Sequence, residues 1–183
     1  MKKLILIIIS IVLISGCIEN YNPYQREFAG VKLNFRANLN EAEKISVYPD
    51  EKTLRDVILN DVVEEIGIAY IPNETENSFY LAASYELAYK LTIINKYYFN
   101  RVKIIDSIPL NLSSDAFDIA SEEKPIILLL GPPKANATAV ETFADGHVVI
   151  AEGKSFKEVN VTYNDLDLAV DKILLVLMKE INS

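Results

Sequence analysis

Apolar residues recur along this chain with two periods, two for strands and near 3.6 for helices, and the alternation between them lays out the elements. Residues 31–35 (VKLNF) alternate apolar and polar positions, the pattern of a half-buried strand. Residues 45–48 predict a second short strand that Pro49 stops, and Pro49-Asp50 opens a helix over about 51–60 with Leu54, Val57 and Ile58 on one face. Residues 66–71 (IGIAYI), bounded by Pro72-Asn73, read as a buried strand. A long helix capped at Asn77 or Ser78 then runs to about Asn95. Tyr80, Ala83, Leu87, Leu91 and Ile94 form its inward stripe, and Glu86 with Lys90 forms an i,i+4 pair on its outer side.

Residues 101–107 predict another strand and residues 113–121 a short helix. Five consecutive apolar residues at 126–130 (IILLL) before Gly131 mark a central strand covered on both faces. A short helix over about 133–143, stopped near Asp145-Gly146, and two strands over 147–151 and 155–162 joined at Glu152-Gly153-Lys154, follow from the same reasoning. A closing helix runs from Asp165 to about Ile181, with apolar positions so dense that it should be largely buried. The sum is an α/β (or α+β) fold, helices packed on a mixed β-sheet, in one domain over residues 29–183.

The N-terminus is organised differently. Lys2 and Lys3 precede an apolar run over residues 4–14, and Ile14-Ser15-Gly16-Cys17 comes before the chain turns polar at Glu19. A charged start, a short apolar core and a small-residue exit are the marks of an export signal. Residues 4–18 make roughly 22 Å of helix at 1.5 Å per residue, short of the ~30 Å hydrocarbon core of a bilayer. The exit resembles the lipobox of prokaryotic membrane lipoproteins, an aliphatic residue, a small residue, Gly or Ala, then the obligatory Cys. The resemblance covers residues 1–17. It implies cleavage between Gly16 and Cys17, a diacylglycerol on the Cys17 sulfur, and a cell-membrane location on the extracytoplasmic face. Residues 1–16 are then the signal peptide and residues 17–28, polar and rich in Asn and Tyr, a lipidated, flexible tether.

Composition narrows the function. The chain has 183 residues, 18 basic and 26 acidic, for a formal charge of −8. Loss of Lys2 and Lys3 with the leader leaves 16 basic against 26 acidic, a charge of −10. Such a surface cannot track a phosphate backbone, which excludes nucleic acid as a partner. It is also held off anionic lipids, so the link to the membrane has to be covalent. One cysteine and one histidine exclude a disulfide framework and Cys- or His-rich metal sites, and no cofactor or metal is expected.

The most site-like segment is the turn after the central strand, Gly131-Pro132-Pro133-Lys134-Ala135-Asn136. Ligands of open α/β sheets bind beyond the carboxyl ends of strands, which makes Gly131, Lys134 and Asn136 a candidate ligand turn. A phosphate cradle does not fit, because Pro132 and Pro133 lack N–H groups. A stiff strand-to-helix turn explains the same residues with no ligand. About a dozen residues here resemble archaeal surface-layer and cell-wall-binding repeats, without their usual Gly-Gly, and that resemblance implies an envelope role and assigns no residue.

Asp165, Asp167 and Asp171 read first as helix-capping acids, with Thr162 and Asp165 closing a capping box, and only second as acid/base or Ca²⁺ groups. His147 is a lone histidine, and no GxSxG, HExxH or SxxK arrangement accompanies it. Asn73, Asn111, Asn136 and Asn160 each begin an Asn-x-Ser/Thr sequon that glycosylation of an exported domain can use, Asn73 foremost. Tyr85 and Tyr89 share a helix face, in a chain with ten tyrosines and no tryptophan.

These readings sum to a lipid-anchored envelope protein whose domain binds or scaffolds and is not an enzyme, with an envelope protein as a possible partner. The alternatives are a small anchored hydrolase using carboxylates and His147, and a ligand-binding lipoprotein. A pocket gathering His147 with two acids favours the hydrolase, an apolar or tyrosine-lined cleft favours a ligand, and an exposed tyrosine patch favours an interface.

Overall fold

The computed structural model describes residues 22–72, 77–99, 103–156 and 163–179. Among them the chain forms β1 (Gln25–Phe28), β2 (Val31–Asn34), α1 (Leu39–Ala42), β3 (Ser46–Tyr48), α2 (Glu51–Ile58), β4 (Glu65–Tyr70) and α3 (Asn77–Tyr98). It continues through β5 (Lys103–Pro109), α4 (Asp115–Ile119), β6 (Ile126–Leu130), β7 (Ala139–Phe143), β8 (Val148–Glu152) and α5 (Asp165–Met178).

Strands β3-β7-β8-β6-β4-β5, in that spatial order, make one mixed sheet, and β1 and β2 make a separate antiparallel hairpin. Strands β4, β5, β6 and β8 run parallel, whereas β7 returns antiparallel to β8 and carries β3 parallel to itself. The two-residue period of the strands divides the core. Ile127 and Leu129 of β6 join Ile66, Ile68, Val149 and Ala151 under the long helices, whereas Ile126, Leu128 and Leu130 join Ala69, Val148 and Ile150 on the opposite face. The first face is covered by α3 and α5, and the second chiefly by the short α4. This is the expected α/β class, helices on a mixed sheet.

Several boundaries differ from expectation. Residues 133–143 are not a helix: a turn leads into β7, where Val140 and Thr142 suit a pleat better than a helix, and a single 3₁₀ turn over Ala144–Gly146 closes a hairpin onto β8. The strand-turn-helix pattern behind the surface-layer resemblance is therefore absent. The partner of β8 is β7 and not residues 155–162, of which 157–162 lie outside the described residues. His147, expected to begin a strand, is the last turn residue and adopts a left-handed backbone with φ 51°. The box that caps α5 is built from Asn164 and Asp167, in place of the expected pair of Thr162 and Asp165, of which Thr162 lies outside the described residues.

The largest difference is at the start of the domain. Residues 25–28, expected in the tether, form β1, and the hairpin with α1 makes a third layer over α3 and α5. Beneath it, Glu86 and Lys90 are turned inward, 7% and 2% exposed, not outward. Lys90 Nζ donates to Glu86 Oε1 and lies 4.2 Å from the Phe35 ring centroid. Arg36 Nε donates to Asp167 Oδ1 at 2.9 Å, its backbone N–H donates to Glu86 Oε1 at 3.0 Å, and the Ala37 N–H donates to Asp171 Oδ2 at 2.8 Å. The second Asp171 oxygen is buried with no hydrogen-bond partner among the described residues.

Three carboxyls thus share a buried space with two cations. Burial, and then the neighbouring Glu86, push the Asp171 carboxyl well above the usual range, and burial likewise raises Glu86. A carboxyl raised in the folded state contributes its full stability below its unfolded value and loses it as pH climbs through the folded one. Asp171→Asn is therefore expected to match the parent in thermal unfolding at pH 4 and to melt higher than the parent at pH 8. An equal difference at both values overturns the assignment of a titrating Asp171.

Candidate functional site

The connections of the sheet place a cleft before any side chain is considered. From β4 the chain leaves through α3 to β5 on one side, and from β6 it leaves past β8 to β7 on the other. The two connections diverge between β4 and β6, and at the carboxyl end of such a pair an open crevice is left. A cleft of about 380 Å³ lies there, lined by Ile71 and Pro72 after β4, Tyr80 in the first turn of α3, Asn111 after β5, and Pro132, Pro133 and Lys134 after β6.

Its floor is held by one hydrogen bond. The Gly131 N–H donates to the Tyr80 hydroxyl at 2.9 Å, and Tyr80 stacks on Tyr70 with centroids 5.7 Å apart and meets Phe156 edge-on at 5.4 Å. Glycine is required at 131 by space: a Cβ would stand 2.2 Å from Phe156 Cζ and 2.7 Å from the Tyr80 hydroxyl. The Gly131 carbonyl accepts from the Lys134 and Ala135 N–H groups at 3.0 Å each, closing the turn. Among the described residues Lys134 is the one charged residue lining the cleft, and its side chain is exposed.

Of the proposed ligand turn, Gly131 forms the floor and Lys134 the wall, while Asn136 is exposed further on and does not line the cleft. Tyr80 and Asn111 were not identified as cleft residues from sequence. The first reads as one more position in the inward stripe, and the second carried only a sequon signal. Asn111 and Asn136 are exposed, as a glycan acceptor requires; Asn73 and Asn160 lie outside the described residues, as do Gly16 and Cys17.

A smaller concavity of about 230 Å³ sits at the opposite, amino-terminal end of the parallel strands. Thr53, Asp56 and Asn60 of the α2 region, Glu122 before β6, and His147 before β8 line it. It brings His147 together with two carboxylates, although Asp56 already accepts from Lys52 Nζ at 2.7 Å on the exposed surface of α2. The acids of α5 do not join it. Asp167 caps the helix and holds Arg36, and Asp171 holds the Ala37 N–H. No group of three or more His, Cys, Asp or Glu is placed to hold a metal among the described residues, and no helix among them is long and apolar enough to cross a membrane.

Tyr80→Phe removes the acceptor of a buried N–H while keeping the ring. It is expected to lower stability by about 1–3 kcal/mol, the cost of an unsatisfied buried donor, read by denaturant unfolding. An unchanged midpoint would show that the Gly131 N–H is satisfied elsewhere.

No family model matches the chain, and neither a curated protein nor a solved structure does.

Proposed function

We propose that this is a lipid-anchored binding protein of the cell envelope, held by diacylated Cys17 on the extracytoplasmic face, whose domain takes a small ligand in the cleft between β4 and β6. The observation that carries the binding reading is the cleft's place and lining. It lies where divergent connections open the sheet, and among the described residues its walls are apolar or neutral apart from Lys134. Rigid rings and prolines offer flat apolar contact, Asn111 offers an amide, and Lys134 offers one positive charge. That set favours a small carboxylic acid with an apolar body over a phosphate, since Pro132 and Pro133 contribute no N–H donors.

The anchor reading rests on Ile14-Ser15-Gly16-Cys17, with the sole cysteine of the chain at the one position an acyl chain needs. Two acyl chains suffice for stable attachment, at ~0.8 kcal/mol per buried methylene, and the acidic body adds no pull of its own toward anionic lipids. A second reading, a small anchored hydrolase, draws on the pocket of His147, Asp56 and Glu122. It is the weaker one because the hydroxyl in that pocket, Thr53 Oγ1, already donates to Asp50 at 3.1 Å.

Three measurements test these readings. Cys17→Ala is expected to leave the domain folded and to release it from membranes; retention after carbonate washing overturns the anchor. Thermal shift against a panel of aliphatic and aromatic carboxylic acids is expected to raise the melting temperature of the parent and not of Lys134→Met. A panel without effect on the parent, or an equal effect on both proteins, overturns the cleft. Turnover of an ester panel that His147→Ala abolishes would instead establish the hydrolase.

A further inference from the structure

We propose that the outward face of α3 lies on the lipid surface that holds Cys17, so that the domain rests on the membrane through this helix; the inference builds on the anchor reading above. The face is unusual in composition. Leu81, Tyr85 and Tyr89, spaced by four residues, are 47%, 71% and 55% exposed, and Ser78 and Thr92 extend the row at either end. No charge interrupts it before Lys96, because the other two charged residues of α3, Glu86 and Lys90, are both turned inward. A water-facing helix surface ordinarily carries the charges and hides the apolar rings. Here the exposed row carries rings and no charge, while Glu86 and Lys90 are buried.

Two occupants suit an uncharged aromatic face, a lipid interface and a second copy of the chain. The start of the domain decides between them. Cys17 lies five residues before Asn22, the first described residue. At 3.3–3.6 Å per residue the acylated sulfur is at most about 18 Å of extended chain away. The hairpin begins at Gln25, and its Phe28 ring packs 5.0 Å from Tyr97, itself 53% exposed near the end of α3. The membrane is therefore kept within one short span of the helix that carries the uncharged row.

Charge gives the same answer. A body of formal charge −10 after loss of the leader is repelled by anionic headgroups over most of its surface, and the row on α3 approaches at least electrostatic cost. Tyrosine suits that depth, with its ring among the upper acyl carbons and its hydroxyl among headgroups. A helix of 22 residues, about 33 Å long at 1.5 Å per residue, lies flat along the surface without spanning it.

The chain contains no tryptophan, so a single Trp reports without background. Full-length acylated protein carrying Tyr85→Trp is reconstituted into phosphatidylcholine–phosphatidylglycerol vesicles and compared with Phe143→Trp, which stands beside Phe117 of α4 across the sheet. The expected result is a blue shift at position 85 and loss of its emission when the lipids are brominated, with neither change at 143. Adding Leu81→Glu and Tyr89→Glu should abolish the quenching while flotation with vesicles persists. If the protein floats and Trp at 85 is not quenched, the docking is overturned and the anchor stands. If that Trp is blue-shifted but unquenched and copies crosslink through position 89, the occupant is a second chain and the docking is overturned. Protein that fails to float overturns the anchor and the docking together.

Discussion

The fold depends on how four buried charged side chains of α3 and α5 are met by a half-buried arginine from the loop after β2. Glu86 and Lys90 on one helix, Asp167 and Asp171 on the other, and Arg36 from the loop are costly to desolvate singly. They are tolerable together because each approach supplies a partner. Arg36 brings both a guanidinium and a backbone N–H, and Ala37 brings a second N–H, so two residues of one loop answer acids on two helices. The hairpin is thus not an ornament on the sheet. Without it, Glu86 and Asp171 would face each other and the solvent with Lys90 alone between them.

Sequence patterning served well where one residue's environment followed from its immediate neighbours. The five-residue apolar run of β6, the start of α2 at Asp50, and the inward stripe of α3 all lie close to where periodicity puts them. It failed where a distant segment decided the environment. An i,i+4 Glu–Lys pair on a helix with an apolar stripe opposite reads as solvated, and only the third layer makes it buried. That layer was invisible because residues 25–28 (QREF) carry too few apolar positions to announce a strand, and because a tether was expected there. One misplaced element therefore produced two errors, the tether that ran too far and the charged pair assigned to the wrong side. The helix expected over 133–143 failed for a related reason: Ala-rich composition resembles a helix locally, while β8 needed an antiparallel partner and Val140 and Thr142 supplied one. In the site, the turn at Gly131 and Lys134 was legible, because a strand ending in Gly-Pro-Pro announces itself. Tyr80 and Asn111 were not, since only the sheet order brings the ends of β4, β5 and β6 to one crevice.

The same sheet order separates the two concavities. The cleft opens at the carboxyl ends of the parallel strands and the His147 pocket at their amino ends, so the domain cannot combine them into one centre. The cleft gains its rigidity from aromatic packing around Tyr80, which is buried at 3% exposure although Leu81 beside it is half exposed. Adjacent helical residues point about 100° apart, so the ring that lines the cleft and the row proposed to meet lipid belong to different sides of one helix.

That division gives α3 a coherent role. Turning Glu86 and Lys90 inward costs desolvation, which the hairpin offsets, and the return is an outer face from which charge has been removed. A helix with its charges outside would have kept the acidic body uniformly hydrated and uniformly repelled by headgroups. With them inside, the hairpin at the start of the domain and the uncharged outer face of α3 are coupled through one buried cluster. Tyr80, which lines the cleft, lies on a different side of the helix from that face. Under the proposed docking, lipid contact and ligand access therefore use different sides of α3 and do not compete.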